Sequence, residues 1–235
     1  MATSNSTNFS VTRDDIIKGA LRLVGAISIG DSPTTDQTTE AASALNMLAK
    51  ALQAEGMPLW AIKEYSLTLT SSATYTLGLG QTTNIDKPLK IVQAFIHDST
   101  TNVDVPMRII TRDEYNRLGN KTSTGTPIQL YYDIQREYGT IKLFPVPDTN
   151  AIANKTIKIV YQRPFEDFDA STDNPDFPQE WFDTLKYGLA TRLSGEYGIT
   201  IEDRRQLQQE YILIKQEALS FGTEEGSFSI SPRYQ

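Results

Sequence analysis

Apolar positions recur at helical spacing at both ends of the 235-residue chain and at alternate positions through its middle. After a polar start, Thr12-Arg13-Asp14-Asp15 is a capping pattern, with a hydroxyl to accept from backbone N–H groups and acids that suit the positive end of a helix. Ile16, Ala20, Leu23, Val24 and Ile27 follow at helical spacing, with Gly25 near the expected end. A turn at Gly30-Asp31-Ser32-Pro33 leads to a second helix, opened by Thr34 and Gln37 as a capping box. Ala41, Ala44, Leu45, Leu48 and Leu52 make its apolar face. Gly56 sits where a left-handed C-terminal residue belongs, with Pro58 just beyond. At ~1.5 Å per residue this helix is roughly 30 Å long.

The period then changes. Tyr65–Thr70 and Thr74–Leu77 alternate, and Ser71-Ser72 between them predicts a hairpin tip. Leu89–His97, Val103–Ile110, Ile128–Ile134, Thr140–Phe144 and Thr156–Tyr161 are further strand candidates, and Tyr138-Gly139 is the expected turn between two of them. A short helix is predicted over Thr111–Leu118, opened by Thr111 and Glu114. These short Tyr-, Ile-, Val- and Thr-rich segments point to an antiparallel β-module.

Helical spacing returns after an acidic connection from Arg163-Pro164 to Asn174-Pro175, with Asp176-Phe177-Pro178 as the expected helix start. Trp181, Leu185, Leu189 and Leu193 line up, flanked by Phe182 and Tyr187, and Gly198 is the expected stop. A last helix runs from Thr200 to about Phe221 on Leu207, Tyr211, Ile214 and Leu219. Gly222–Gln235 lacks helical period, is rich in Gly and Ser, yet carries Phe228, Ile230 and Tyr234. The predicted fold is therefore α+β. Helices from residues 1–62 and 164–221 form one antiparallel bundle, a β-rich module is inserted at 63–163, and 222–235 is an extended tail. No internal repeat is visible.

Composition narrows the function. There is no cysteine, which excludes disulfides, Cys-type zinc sites, Fe–S clusters and thiol nucleophiles. A net charge of −7 argues against a protein that grips duplex DNA. No apolar stretch is long enough for a membrane span, and the polar Met1–Asn8 start is not expected to be a signal peptide.

Chemical motifs are weak. Gly78-Leu79-Gly80 lacks the third glycine and helix of a dinucleotide loop, and a loop at a hairpin end is the better reading. His97 is the single histidine, beside Asp98 at a strand end, with no nucleophile motif near it; a solvated loop histidine is expected. Glu64, Glu114 and Glu180 are the carboxylates available to a glycosidase-like pair, and none has a specific neighbourhood. Glu166, Asp167, Asp169 and Asp173 supply oxygen ligands without the spacing of a calcium loop, so a solvated linker is expected. No catalytic, cofactor or metal residue is assigned. Arg204-Arg205 is the densest basic pair, either a solvated helix face or a seat for an acidic partner surface.

The run Asp15-Ile16-Ile17-Lys18-Gly19-Ala20-Leu21-Arg22-Leu23-Val24-Gly25-Ala26-Ile27 resembles the opening of the P22-type tail accessory factors, also called packaged-DNA stabilisation proteins or head-to-tail adaptors. Ala44–Lys50, Glu55–Trp60, Tyr75–Gly78, Ile141–Pro147, Phe177–Trp181 and Tyr187–Ala190 resemble further pieces of that family, in the same order. The resemblance implies a structural, non-enzymatic protein of the virion head–tail junction, assembled in the host cytoplasm. It implies a dodecameric ring of identical subunits under the portal protein. Such a ring extends the DNA channel, retains packaged DNA without sequence-specific binding, and carries a downstream tail or nozzle protein. No cofactor and no membrane are implied. Arg204, Arg205, Phe221, Phe228, Ile230, Arg233 and Tyr234 are the residues expected to meet the portal or a neighbouring subunit. The alternatives are a virion-associated cell-wall hydrolase using a carboxylate pair, and another tail-tube or plug protein.

Overall fold

The computed structural model describes residues 5–55 and 59–221, with the backbone alone for Leu59 and Phe221. The helices are α1 (Arg13–Leu23), α2 (Thr35–Glu55), α3 (Arg112–Asn116), α4 (Thr149–Asn154), α5 (Phe182–Leu193) and α6 (Ile201–Phe221). The strands are β1 (Ile62–Thr68), β2 (Thr74–Leu77), β3 (Lys90–Asp98), β4 (Val103–Pro106), β5 (Arg108–Ile110), β6 (Thr124–Gly125), β7 (Gln129–Ile134), β8 (Gly139–Phe144), β9 (Val146–Pro147) and β10 (Lys155–Gln162). The α+β class is as expected. The chain divides into a helical unit, residues 1–60 with 165–235, and a β unit, residues 61–164.

In the helical unit the caps form where the sequence places them. Thr12 Oγ1 accepts from Asp15 N at 3.3 Å while Asp15 Oδ2 accepts from Thr12 N at 3.0 Å. Thr34 and Gln37 make the same exchange at 3.2 and 2.9 Å. Each box satisfies backbone donors that a helix start leaves open. α5 is central, packing against α1, α2 and α6. Its Leu185 and Leu189 are fully buried, as are Ile17, Leu21 and Leu45.

Several helical expectations change in detail. In α1 the buried face is Ile16, Ile17, Ala20 and Leu21, while Ile27 lies beyond the helix. α5 is entered through a 3-10 turn at Gln179–Trp181 whose N-cap is Pro178, without a side-chain cap. Asp176 instead accepts from Glu166 N at 3.1 Å. α5 stops at Leu193, and Gly198, at φ +64°, belongs to the turn before α6. In α6 Ala218 is buried and Leu219 is 43% exposed. Gly56 and Pro58 lie outside the described residues.

The acidic connection is not a solvated linker. Phe165, Phe168 and Phe177 are buried, because α2 holds the segment by its backbone. Phe165 N donates to Gln53 Oε1 and Phe168 N to Asn46 Oδ1, both at 2.8 Å, and Lys50 Nζ donates to Phe165 O at 2.8 Å. Trp60 stacks on Phe165 at 4.7 Å, and Phe177 bridges to Trp181 at 6.0 Å. The aromatic spacing within an acidic stretch was the signal for this packing.

The β unit contains two four-stranded sheets, β1-β10-β3-β4 and β2-β8-β7-β5, and a small β6-β9 pair. Leu67, Ile157 and Ile96 are cross-strand neighbours in the first sheet, Tyr75 and Ile141 in the second, and all enter one core. The expected hairpin at Ser71-Ser72 does not form: β1 pairs with β10 and β2 with β8. Alternation fixes which face of a strand is buried but not which strand lies beside it. The candidate Val103–Ile110 breaks at buried Met107, so that β4 stays in the first sheet and β5 joins the second. The module is antiparallel except for the β5–β7 and β6–β9 pairs, which are parallel. Gly139 opens β8 rather than making the turn, and the ring of Tyr132 occupies the space a side chain there would fill.

Candidate interaction surface

His97 is not a loop residue. It projects from β3 with its Nδ1 2.6 Å from Asp104 Oδ1, while Lys158 Nζ donates to Asp104 Oδ2 at 3.1 Å. The hydrogen bond from His97, and then that from Lys158, holds the Asp104 carboxyl below the usual carboxylate range. This is a cross-strand ladder of polar side chains, of the kind that steadies a sheet face. Glu114 is occupied as the α3 capping residue and pairs with Arg108. Its capping bonds from Thr111 lower its pKa, as suits a carboxylate that accepts backbone N–H bonds. Glu64 and Glu180 are exposed on β1 and in the turn before α5.

The carboxylates considered for calcium line an open recess, but they serve the loop. Asp173 Oδ2 accepts from Asp169 N at 2.9 Å and Ala170 N at 2.6 Å, and Asp167 pairs with Lys50 at 2.5 Å. Among the described residues no group of three or more His, Asp or Glu is placed to hold a metal ion. Gly78 and Gly80 sit in the loop after β2, where Asn84 Oδ1 accepts from Gly80 N at 2.9 Å. No helix of the described residues is long and apolar enough to cross a membrane.

The sequence-predicted contact residues divide into two sets. Arg204 and Arg205 are exposed in the first turns of α6, and Arg205 has only a 4.0 Å approach to Glu202. Phe228, Ile230, Arg233, Tyr234 and the side chain of Phe221 lie outside the described residues.

α6 has a second apolar face that the sequence reading missed. Leu207 and Ala218 are buried, with Tyr211 and Ile214 half-buried between them on the side toward α5. Roughly 110° around the helix, at ~100° per residue, Ile201, Ile212 and Leu219 form another stripe, 72%, 44% and 43% exposed, with Arg205 among them. Leu213, 60% exposed, stands ~100° further round the helix from Ile212. The stripe's spacing of eleven and then seven residues is visible in the sequence, where only Leu219 was counted, as part of the single face with Leu207, Tyr211 and Ile214. A second exposed surface is β4, the one described strand with no buried or half-buried residue, where Val103 and Val105 stand about half exposed.

No family model matches the chain, and no curated protein matches it. Among solved structures it is similar to a chain from the neck of an empty GTA particle computed with C6 symmetry, at 11% identity over 73% of this chain and 74% of that one, with a TM-score of 0.26. A likeness at that level assigns no role.

Proposed function

We propose that the chain is a structural head-to-tail adaptor of a tailed bacteriophage. It forms a ring under the portal, extends the DNA channel, and presents an attachment surface for tail components. The resemblance carried by Asp15–Ile27, Ala44–Lys50 and Phe177–Trp181 suggests this role, and the dodecameric count comes from that resemblance alone. The observation that supports it from the geometry is the outer stripe of α6, an apolar face with a cationic end that a single copy leaves in water. Closed rings need two different surfaces per subunit that fit each other head to tail. Leaving large apolar side chains exposed costs about 1.5–3 kcal/mol each relative to burial, so such a face is best explained by a protein partner.

The test is direct. Electron microscopy of the purified chain mixed with the portal ring of the same particle should show an added tier of density on one end of the portal. Portal rings that stay bare at saturating chain concentration would remove the adaptor reading.

A further inference from the structure

The outer face of α6 also indicates what sits on it. Gly222–Gln235 continues directly from the end of that helix. Although the segment has no helical period, it has a strict period of two from Ser227 onward. Phe228, Ile230, Pro232 and Tyr234 alternate with Ser227, Ser229, Ser231, Arg233 and Gln235. In an extended chain, alternate residues share a side, so this sequence defines one apolar edge and one polar edge. Glu224-Glu225 precede it.

We infer that the α6 face formed by Arg204, Arg205, Ile212 and Leu219 is the seat for the C-terminal segment of a second copy of this chain. Glu224-Glu225 would lie at the arginines and Phe228 on Ile212. The spacing agrees along both partners. Ile212 is seven residues beyond Arg205, about 10 Å along a helix, and Phe228 is three residues beyond Glu225, about 10 Å along an extended chain. Leu219 is seven residues further on, about 21 Å from Arg205, and Pro232 is about 23 Å from Glu225.

The same arithmetic identifies the donor as another copy. Within one chain the arginines stand 16 and 17 residues before Phe221, about 25 Å down the helix. Glu225 follows Phe221 by four residues and reaches at most about 14 Å. Folding back along its own helix, one chain leaves the backbone of these acids about 10 Å short of its own arginines, whereas a second copy meets no such limit. The pairing joins the C-terminal end of one α6 to the N-terminal end of the next, a heterologous contact that can propagate round a ring. This inference deepens the ring reading and rests on it for the closure of the contact.

The absence of cysteine makes the test clean. Full-length chains carrying Ile212→Cys and Phe228→Cys are mixed on the portal ring and oxidised. The expected product is a disulfide between the two different chains, in excess over either chain alone. Arg204→Glu with Arg205→Glu in the first chain should abolish it, and adding Glu224→Arg with Glu225→Arg to the second should restore it. A bond that forms only within one chain bearing both cysteines, or a yield indifferent to charge reversal, overturns the inference. Portal-bound rings without the cross-link overturn the seat and leave the ring reading intact. Cross-linked pairs on a portal that gains no ring support the seat and overturn the ring.

Discussion

Gly188 of α5 lies directly beneath Leu48 of α2: a β-carbon at 188 would stand 2.9 Å from Leu48 Cδ2 and 2.8 Å from Tyr211 Cε2 of α6. Three helices thus close on a position where only hydrogen fits. Interiors this dense accommodate an added side chain by moving neighbours or not at all.

Gly188→Val should therefore destabilise the helical unit by about 1–3 kcal/mol through overpacking. Gly188→Ala should cost less, because alanine recovers about 1 kcal/mol of helix propensity. Urea denaturation of both variants checks this. A valine variant with the parental midpoint would mean that α2 and α5 are not in contact at this point.

Removing volume should be costlier. Trp181 is 7% exposed and Leu45 fully buried. Trp181→Ala is expected to lose about 3–5 kcal/mol and Leu45→Ala about 2–5 kcal/mol. Equilibrium unfolding gives both values, and parental stability in either variant would show that the side chain is not in the core.

The helical unit was largely legible because its signals are local. Capping boxes at Thr12 and Thr34 need only residues three apart, and the Trp181–Leu193 stripe needs only four-residue spacing. The β unit was legible as strands but not as sheets, since β1 and β2 take partners about ninety and sixty-five residues away in the register. Gly139 looked like a turn residue, and the Tyr132 ring that demands it comes from the neighbouring strand. The acidic connection was misread because charge was weighed above Phe165, Phe168 and Phe177. Of the candidate surface, the arginines of α6 were singled out, but the stripe beside them was not. An exposed apolar face has the same residues as a buried one, and packing decides between them.

Asp98, at the end of β3, should carry a measurable share of acid stability. A hydrogen bond from Lys155, then those from the Thr100 and Thr101 N–H groups, lower its pKa from 3.8 to about 2. A depressed carboxyl stabilises the fold above its unfolded pKa and loses that effect as pH falls through the folded value. Asp98→Asn should therefore melt below the parent at pH 7, and the gap should narrow as pH falls from 3.8 toward 2. Thermal melts across that range decide it. A gap that stays constant with pH would assign the loss to packing rather than charge.

Duplex DNA should not be retained by this protein. Its net charge is −7, and many of its cations are already opposed by acids. Arg112 faces Asp133, Arg117 faces Asp113 at 2.8 Å, Lys155 faces Asp98 at 2.8 Å, and Lys186 faces Asp183 at 2.6 Å. Each phosphate contact steepens the fall of log K with log salt by about 0.9, so a net-acidic surface should bind weakly and with a shallow slope. A gel shift with duplex at physiological salt should show no retained complex. The exposed Arg204-Arg205 pair is the surface most able to contradict this. If it serves another protein chain, Arg204→Glu with Arg205→Glu should leave the DNA result unchanged while disrupting contact between copies. A retained complex that this double variant abolishes would instead assign the pair to phosphate.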